Sequence, residues 1–146
     1  MKQSLEEAGV NWKLIFLLTL FGVAIAFAGV LGLPGRIEAY IWLFVFVIYA
    51  AIIVRKTTGK YFLHAFAACT ISGVWIGIIH AIFISTYLAD HHVIRQVYKM
   101  MPLSHHRRLL SVIMGTIIGV LMGIIAGLIA HAFGKITKKR KPEVRA

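Results

Sequence analysis

Residues 109–133 read LLSVIMGTIIGVLMGIIAGLIAHAF, a run without a single Asp, Glu, Lys or Arg. A helix rises 1.5 Å per residue, so about 20 apolar residues cross the roughly 30 Å of hydrocarbon in a bilayer. This run is long enough to do so. Three further runs precede it, at residues 13–33, 37–54 and 61–88. Composition agrees: 60% of the chain is hydrophobic and 14% charged, against roughly 45–50% and about 25% in soluble domains. The sequence predicts an all-α polytopic membrane protein, an antiparallel bundle of four transmembrane helices with a short interfacial helix between spans three and four.

Within 109–133 the small residues keep a strict spacing. Gly115, Gly119, Gly123 and Gly127 recur every four residues, a glycine zipper that extends back to Ser111 and forward to His131. The third span repeats the device in Ala65, Cys69, Gly73, Gly77, Ala81 and Ser85. Lipid is as apolar as Leu, so membrane helices associate by close approach, and a ridge of small residues permits it. These two ridges are the strongest packing signal in the chain. They predict that spans three and four pack along them, or that one ridge receives a second copy or another membrane protein. Gly22 with Ala26, and Ala28 with Gly32, are weaker versions in the first span. The second span has none and is expected to face lipid more widely.

The formal charge of +11 would suit a nucleic-acid partner if the basic residues formed one patch. They sit instead at the ends of apolar runs, where they anchor helices to headgroups. No nucleic-acid partner is expected. The basic segment 134–146 reads as a cytoplasmic tail held to anionic headgroups. Eleven Lys and Arg fall on the side of the chain ends and five on the other, which predicts both ends in the cytoplasm of a bacterial inner membrane. The only cysteine, Cys69, lies inside a span and cannot form an intrachain disulfide.

Residues 1–12 read as a cytoplasmic lead-in, with Ser4 and Glu7 at capping-box spacing. A cleaved signal peptide ending near Ala26 and Ala28 is the competing reading, but Glu6 and Glu7 spoil the basic segment it needs. Leu33, Pro34, Gly35 and Arg36 predict a type II turn with positive φ at Gly35, closing spans one and two into a hairpin. Gly59-Lys60 is no phosphate loop, because Tyr61 follows where Ser or Thr should stand. Span three, at 28 residues, must tilt or protrude. In the linker 89–108, Asp90 caps a helix carrying Val93, Ile94, Val97, Tyr98 and Met101, which lies on the headgroups. Trp75 is expected to fill space beside Gly73 and Gly77. The methionines read as core fillers rather than copper ligands.

The acidic residues, Glu6, Glu7, Glu38, Asp90 and Glu143, all fall at or beyond span ends. Cation-coupled transport usually needs a carboxylate nearer the midplane. The ionisable groups inside spans are His64, His80 and His131. Opposed spans three and four would bring His64 and His131 to similar depth, where two imidazoles can hold a haem iron or relay protons. The bland alternative is hydrogen bonding to neighbouring backbone. His91-His92 and His105-His106 suggest zinc, copper or a pH sensor, but adjacent residues on a helix point about 100° apart and rarely ligate one ion. A solvated interfacial face explains them as well. No cofactor, metal or catalytic motif is expected.

The order of features resembles a bacterial family of small four-span membrane proteins grouped as a domain of unknown function. The likeness rests on the two-span hairpin and on the basic turn ending in Gly59. Tyr61, Phe62, Ala65 and Phe66 opening span three, the amphipathic linker, and the Gly-rich last span before a Lys-rich end complete it. The resemblance implies fold and membrane location only. The primary functional expectation is a non-enzymatic module, an accessory subunit or small oligomer associating through its small-residue ridges. A solute or ion conduit lined by His80 or His131 is the second, and a histidine-ligated haem or metal protein the third.

Overall fold

The computed structural model describes residues 9–139. The Ser4–Glu7 pair and the basic residues from Arg140 onward lie outside them. The described residues form six helices: α1 (Trp12–Val30), α2 (Gly35–Lys56), α3 (Tyr61–Ile82), α4 (Ile84–Asp90), α5 (His92–Met100) and α6 (Arg107–Lys139). Four of them, α1, α2, α3 and α6, are long and apolar enough to cross a membrane.

Several boundaries differ from the sequence expectation, each for a local reason. Asn11 caps α1, its side chain accepting the Leu14 N–H at 3.0 Å. The helix ends early, at Val30. Gly32 takes φ +92°, the Gly32 N–H bonds the Gly29 carbonyl and the Leu33 N–H bonds the Ala28 carbonyl. This is a Schellman ending, and the glycine it requires is Gly32 rather than Gly35. Gly35 instead opens α2 behind Pro34 (φ −61°, ψ 133°). Helix α6 starts at Arg107 and continues through Lys139, 33 residues or about 50 Å. Part of the expected tail is therefore helical.

Span three does not run straight to Leu88. It breaks at Phe83 (φ −100°, ψ 29°), and α4 leaves at an angle. In a straight helix His80 and Tyr87 would stand about 10 Å apart along the axis. Across the break their rings stack at 3.9 Å. Ser85, counted as part of the ridge, lies beyond the break and is exposed.

The principal packing is α3 against α6, and glycine is what allows it. A methyl added at Gly77 would lie 2.8 Å from the Val112 Cα and 2.9 Å from the Ser111 carbonyl. One at Gly119 would lie 2.9 Å from the Gly73 Cα and 3.1 Å from the Cys69 carbonyl. Further along, Gly123 meets the Phe66 carbonyl and Gly127 the Phe62 ring. Residue numbers rise along one helix as they fall along the other. Ala65 and Cys69 lie fully inside the core and Ala81 at its margin. Trp75 does not fill the seam: it is 43% exposed, on the outer face of α3.

Helix α1 packs more on α3 than on its hairpin partner α2. Gly22 sits against Ser72 and Gly29 against the His80 ring. A buried tyrosine then ties in α2: the Tyr49 hydroxyl donates to the Leu18 carbonyl at 2.7 Å and lies 3.5 Å from Ser72 Oγ. Ala50 and Ile53 of α2 share one core with Ala126 and Ala130 of α6. Helix α2 is widely exposed, as expected, but α6 is more so, with 22% of its most apolar window buried against 28% for α2. Its covered stripe is the glycine face together with Leu110, Ser111, Ala126 and Ala130.

Because the α3–α6 contact is backbone to backbone, no rotamer change can relieve an added side chain. Gly73→Val and Gly77→Val are expected to lower stability by about 1–3 kcal/mol, the usual cost of overpacking. Gly59→Ala, where an added methyl has nothing within 4 Å, should be neutral. Thermal unfolding in detergent checks this, and equal behaviour of the three variants would remove the glycine seam as the basis of the packing.

Candidate functional site

The ridge residues meet each other within one chain. Gly73, Gly77, Gly115, Gly119, Gly123 and Gly127 are filled by the facing helix or its aromatic side chains. The surfaces expected to be available for association are thus occupied internally.

The histidines separate into unrelated settings. His64 is 1% exposed, and its Nε2 accepts the Asn11 N–H at 2.9 Å. An accepting Nε2 places the ring proton on Nδ1, which donates to the Lys60 carbonyl at 2.9 Å. That carbonyl also takes the His64 backbone N–H, at the left-handed residue that opens α3 (Lys60, φ 53°). Both ring nitrogens are engaged, so His64 has none left for a metal. His131 is exposed and lies in a shallow groove with Gly59, Phe62 and Gly134 that does not include His64. The alternative haem pairing of His64 with His131 gains no support, and His64 takes the backbone hydrogen bonds of the other reading.

The linker pairs divide in the same way. His91 is buried, its Nδ1 facing the Tyr87 carbonyl at 2.9 Å and its Nε2 the Leu33 carbonyl at 3.2 Å. It fastens the α1–α2 turn to the α4–α5 junction. His92 is exposed and bonds Arg95 at 2.7 Å, while His105 and His106 face outward. Among the described residues no three His, Cys, Asp or Glu come together as metal ligands would.

The structure brings together a different set of residues. Helices α2 and α6, joined through Ala50, Ile53, Ala126 and Ala130, leave between them a half-enclosed cleft of about 640 Å³ toward the linker end. Helix α3 forms its floor, with Tyr87 of α4 and Tyr98 of α5 closing its end. This volume falls within the roughly 300–1,000 Å³ of small-molecule sites. Its end away from the linker is apolar, lined by Phe46, Cys69, Ile118, Met122 and Ile125. Its polar groups gather at one end: Glu38, Trp42, His80, Tyr87, Tyr98 and Ser111.

Each arrives by a simple route. Glu38 stands in the first turn of α2, and Trp42 one turn on reaches its carboxylate. His80 is 6% exposed. The Ala26 carbonyl of α1 lies near its ring, yet Nε2 completes no hydrogen bond. Tyr87 is sandwiched between His80 and His91, at ring distances of 3.9 and 4.4 Å. Burial, with the Glu38 carboxylate second, pushes the Tyr87 phenol above its ordinary range. Burial likewise raises that of Tyr98, against the opposing effect of its Ser111 partner. Both phenols stay neutral near pH 7 and act as hydrogen-bonding groups.

Sequence reasoning placed Glu38 at a span margin and set it aside. Its i, i+4 spacing to Trp42 was the one available signal that the two share a face. The joining of Tyr87, Tyr98 and Ser111 depends on the break at Phe83, which no motif marks.

These features define a helical chain with four candidate spans and an interhelical cleft that is apolar at one end and polar at the other. The chain matches no protein-family model, no curated protein and no solved structure.

If His64 is a structural cap, His64→Leu should cost about 1–2 kcal/mol, the penalty of leaving its partners unmatched. His131→Ala should stay within about 0.5 kcal/mol of the parent. Chemical or thermal unfolding of the two variants decides. Equal losses, with a Soret band in the parent protein, would restore the haem pair.

Proposed function

We propose that the protein is a non-enzymatic integral membrane module that takes a small amphiphile from the bilayer into the α2–α6 cleft. In this reading the four spans form an antiparallel bundle in a bacterial plasma membrane, with both ends cytoplasmic, as the distribution of Lys and Arg favours. The observation that carries it is the cleft itself, an apolar groove whose polar end is bordered by Glu38, Trp42, Tyr98 and Ser111. Five helices border it, which fits a small molecule better than a partner helix. It is the surface the chain leaves unfilled after its glycine ridges have closed on each other. Of the conduit histidines, His80 lines the cleft and His131 does not.

Ala39 lines the cleft and is itself exposed, so a larger side chain there fills the cleft without entering the core. Protein purified in mild detergent, extracted into organic solvent and analysed by mass spectrometry should carry a small amphiphile near one per chain. Ala39→Trp should lose it while keeping the parent's unfolding temperature. Equal recovery from both proteins would dismiss the cleft as the binding site.

A further inference from the structure

Resting on the cleft reading above, we infer that its occupant is a cationic amphiphile, an alkylammonium whose head sits among Glu38, Trp42, Tyr87 and Tyr98 and whose tail runs toward Phe46 and Met122.

The charge of the lining selects the head. Of the side chains that border the cleft, one is a carboxylate, Glu38, and none is Lys or Arg. Anionic heads such as phosphate are held by guanidinium, ammonium or helix N-termini. A carboxylate repels them. Among the described residues Glu38 has no ion-pair partner. His91 acts on it electrostatically but forms no ion pair with it, its ring nitrogens facing the Tyr87 and Leu33 carbonyls. A carboxylate lacking a cation inside an apolar cleft is a site for one.

The aromatic groups identify the kind of cation. Trp42 and Tyr98 border the same end, and ring faces attract ammonium groups, most strongly where water is displaced; Tyr87, stacked on both faces by His80 and His91, has only its edge and hydroxyl to offer. Carboxylate and rings together suit an alkylated amine, which has a diffuse charge and few hydrogen bonds to lose on leaving water.

The shape sets the tail. The lining extends from Gly35 to Phe46 on α2 and from Ser111 to Ile125 on α6, about 16 and 21 Å of helix axis. Polar groups occupy one end and apolar groups the other. The basic residues at that end, Arg36, Lys99, Arg107 and Arg108, contribute nothing to the lining.

The test compares three ten-carbon probes on the full chain in a nonionic maltoside detergent, by equilibrium dialysis. The probes are decyltrimethylammonium, decanol and decyl sulfate. The parent protein should bind the cation at least about tenfold more tightly than the alcohol, the scale of one desolvated charge contact. Glu38→Gln should bring the cation to the level of the alcohol without changing alcohol binding. Glu38→Asp should recover part of the difference. Trp42→Leu should weaken the cation alone.

Equal binding of cation and alcohol, unaffected by Glu38→Gln, would overturn the cationic assignment while leaving the cleft reading intact. Preference for decyl sulfate would do the same, and would assign the head to the basic residues at the rim. Failure of all three probes to bind, or binding untouched by Ala39→Trp, would remove the cleft reading together with this one.

Discussion

The contact of α3 with α6, backbone against backbone, governs the rest of the structure. Gly73 and Gly77 on one side and Gly115 and Gly119 on the other have no side chain to separate the two axes, so carbonyls and Cα atoms meet directly. In water such a seam would be weak, since it buries little apolar side chain. In a bilayer little is gained by exchanging lipid for another apolar side chain, and close dispersion contact decides which helices stay together. The same seam explains why α6 is covered on so narrow a stripe. Ile117, Leu121, Ile124 and Leu128 are left outside it and exposed, an apolar surface on a helix long and apolar enough to cross a membrane.

The seam was legible because it is periodic, and periodicity survives without knowledge of the fold. The four long helices were legible for the same reason. Features that depend on one residue meeting another far away in sequence were not. Asn11 caps α1, but its neighbours do not mark it more strongly than Ser4. Trp75 was assigned to the seam because Gly73 and Gly77 flank it, whereas two residues along a helix is a turn of about 200°, away from that face. The break at Phe83 has neither Gly nor Pro to announce it. It is paid for by the stacking of His80, Tyr87 and His91, a tertiary contact. Of the linker histidines, His92, His105 and His106 are exposed, as a solvated face requires, and only His91 departs from it by being buried.

Polar contacts in the core follow a second rule. Where water is absent, a hydroxyl or imidazole needs a protein partner. Tyr49 reaches the Leu18 carbonyl, Ser72 the carbonyl of Ala68, and His64 both Asn11 and Lys60. Tyr49 ties α2 to α1, His64 ties the start of α3 to Asn11, and Ser72 returns to a carbonyl of its own helix. Against that background the Nε2 of His80 and the Oγ1 of Thr70 are exceptions, buried without a hydrogen bond, the former turned toward Gly29 of α1.

The cleft follows from the same packing that builds the seam. Helix α6 is drawn against α3 along its whole glycine face, so its distance from α2 is set by the side chains between those two. Ala126 and Ala130 allow close approach to Ala50 and Ile53. Toward the linker end α6 instead presents Ile118 and Met122, and α2 presents Ala39 and Leu43, without joining into a core. The α4 helix, turned aside at Phe83, closes this gap with Tyr87 rather than filling it. The break, which adds nothing to the α3–α6 seam, thus converts a separation between two helices into a bounded cavity with a carboxylate at its mouth.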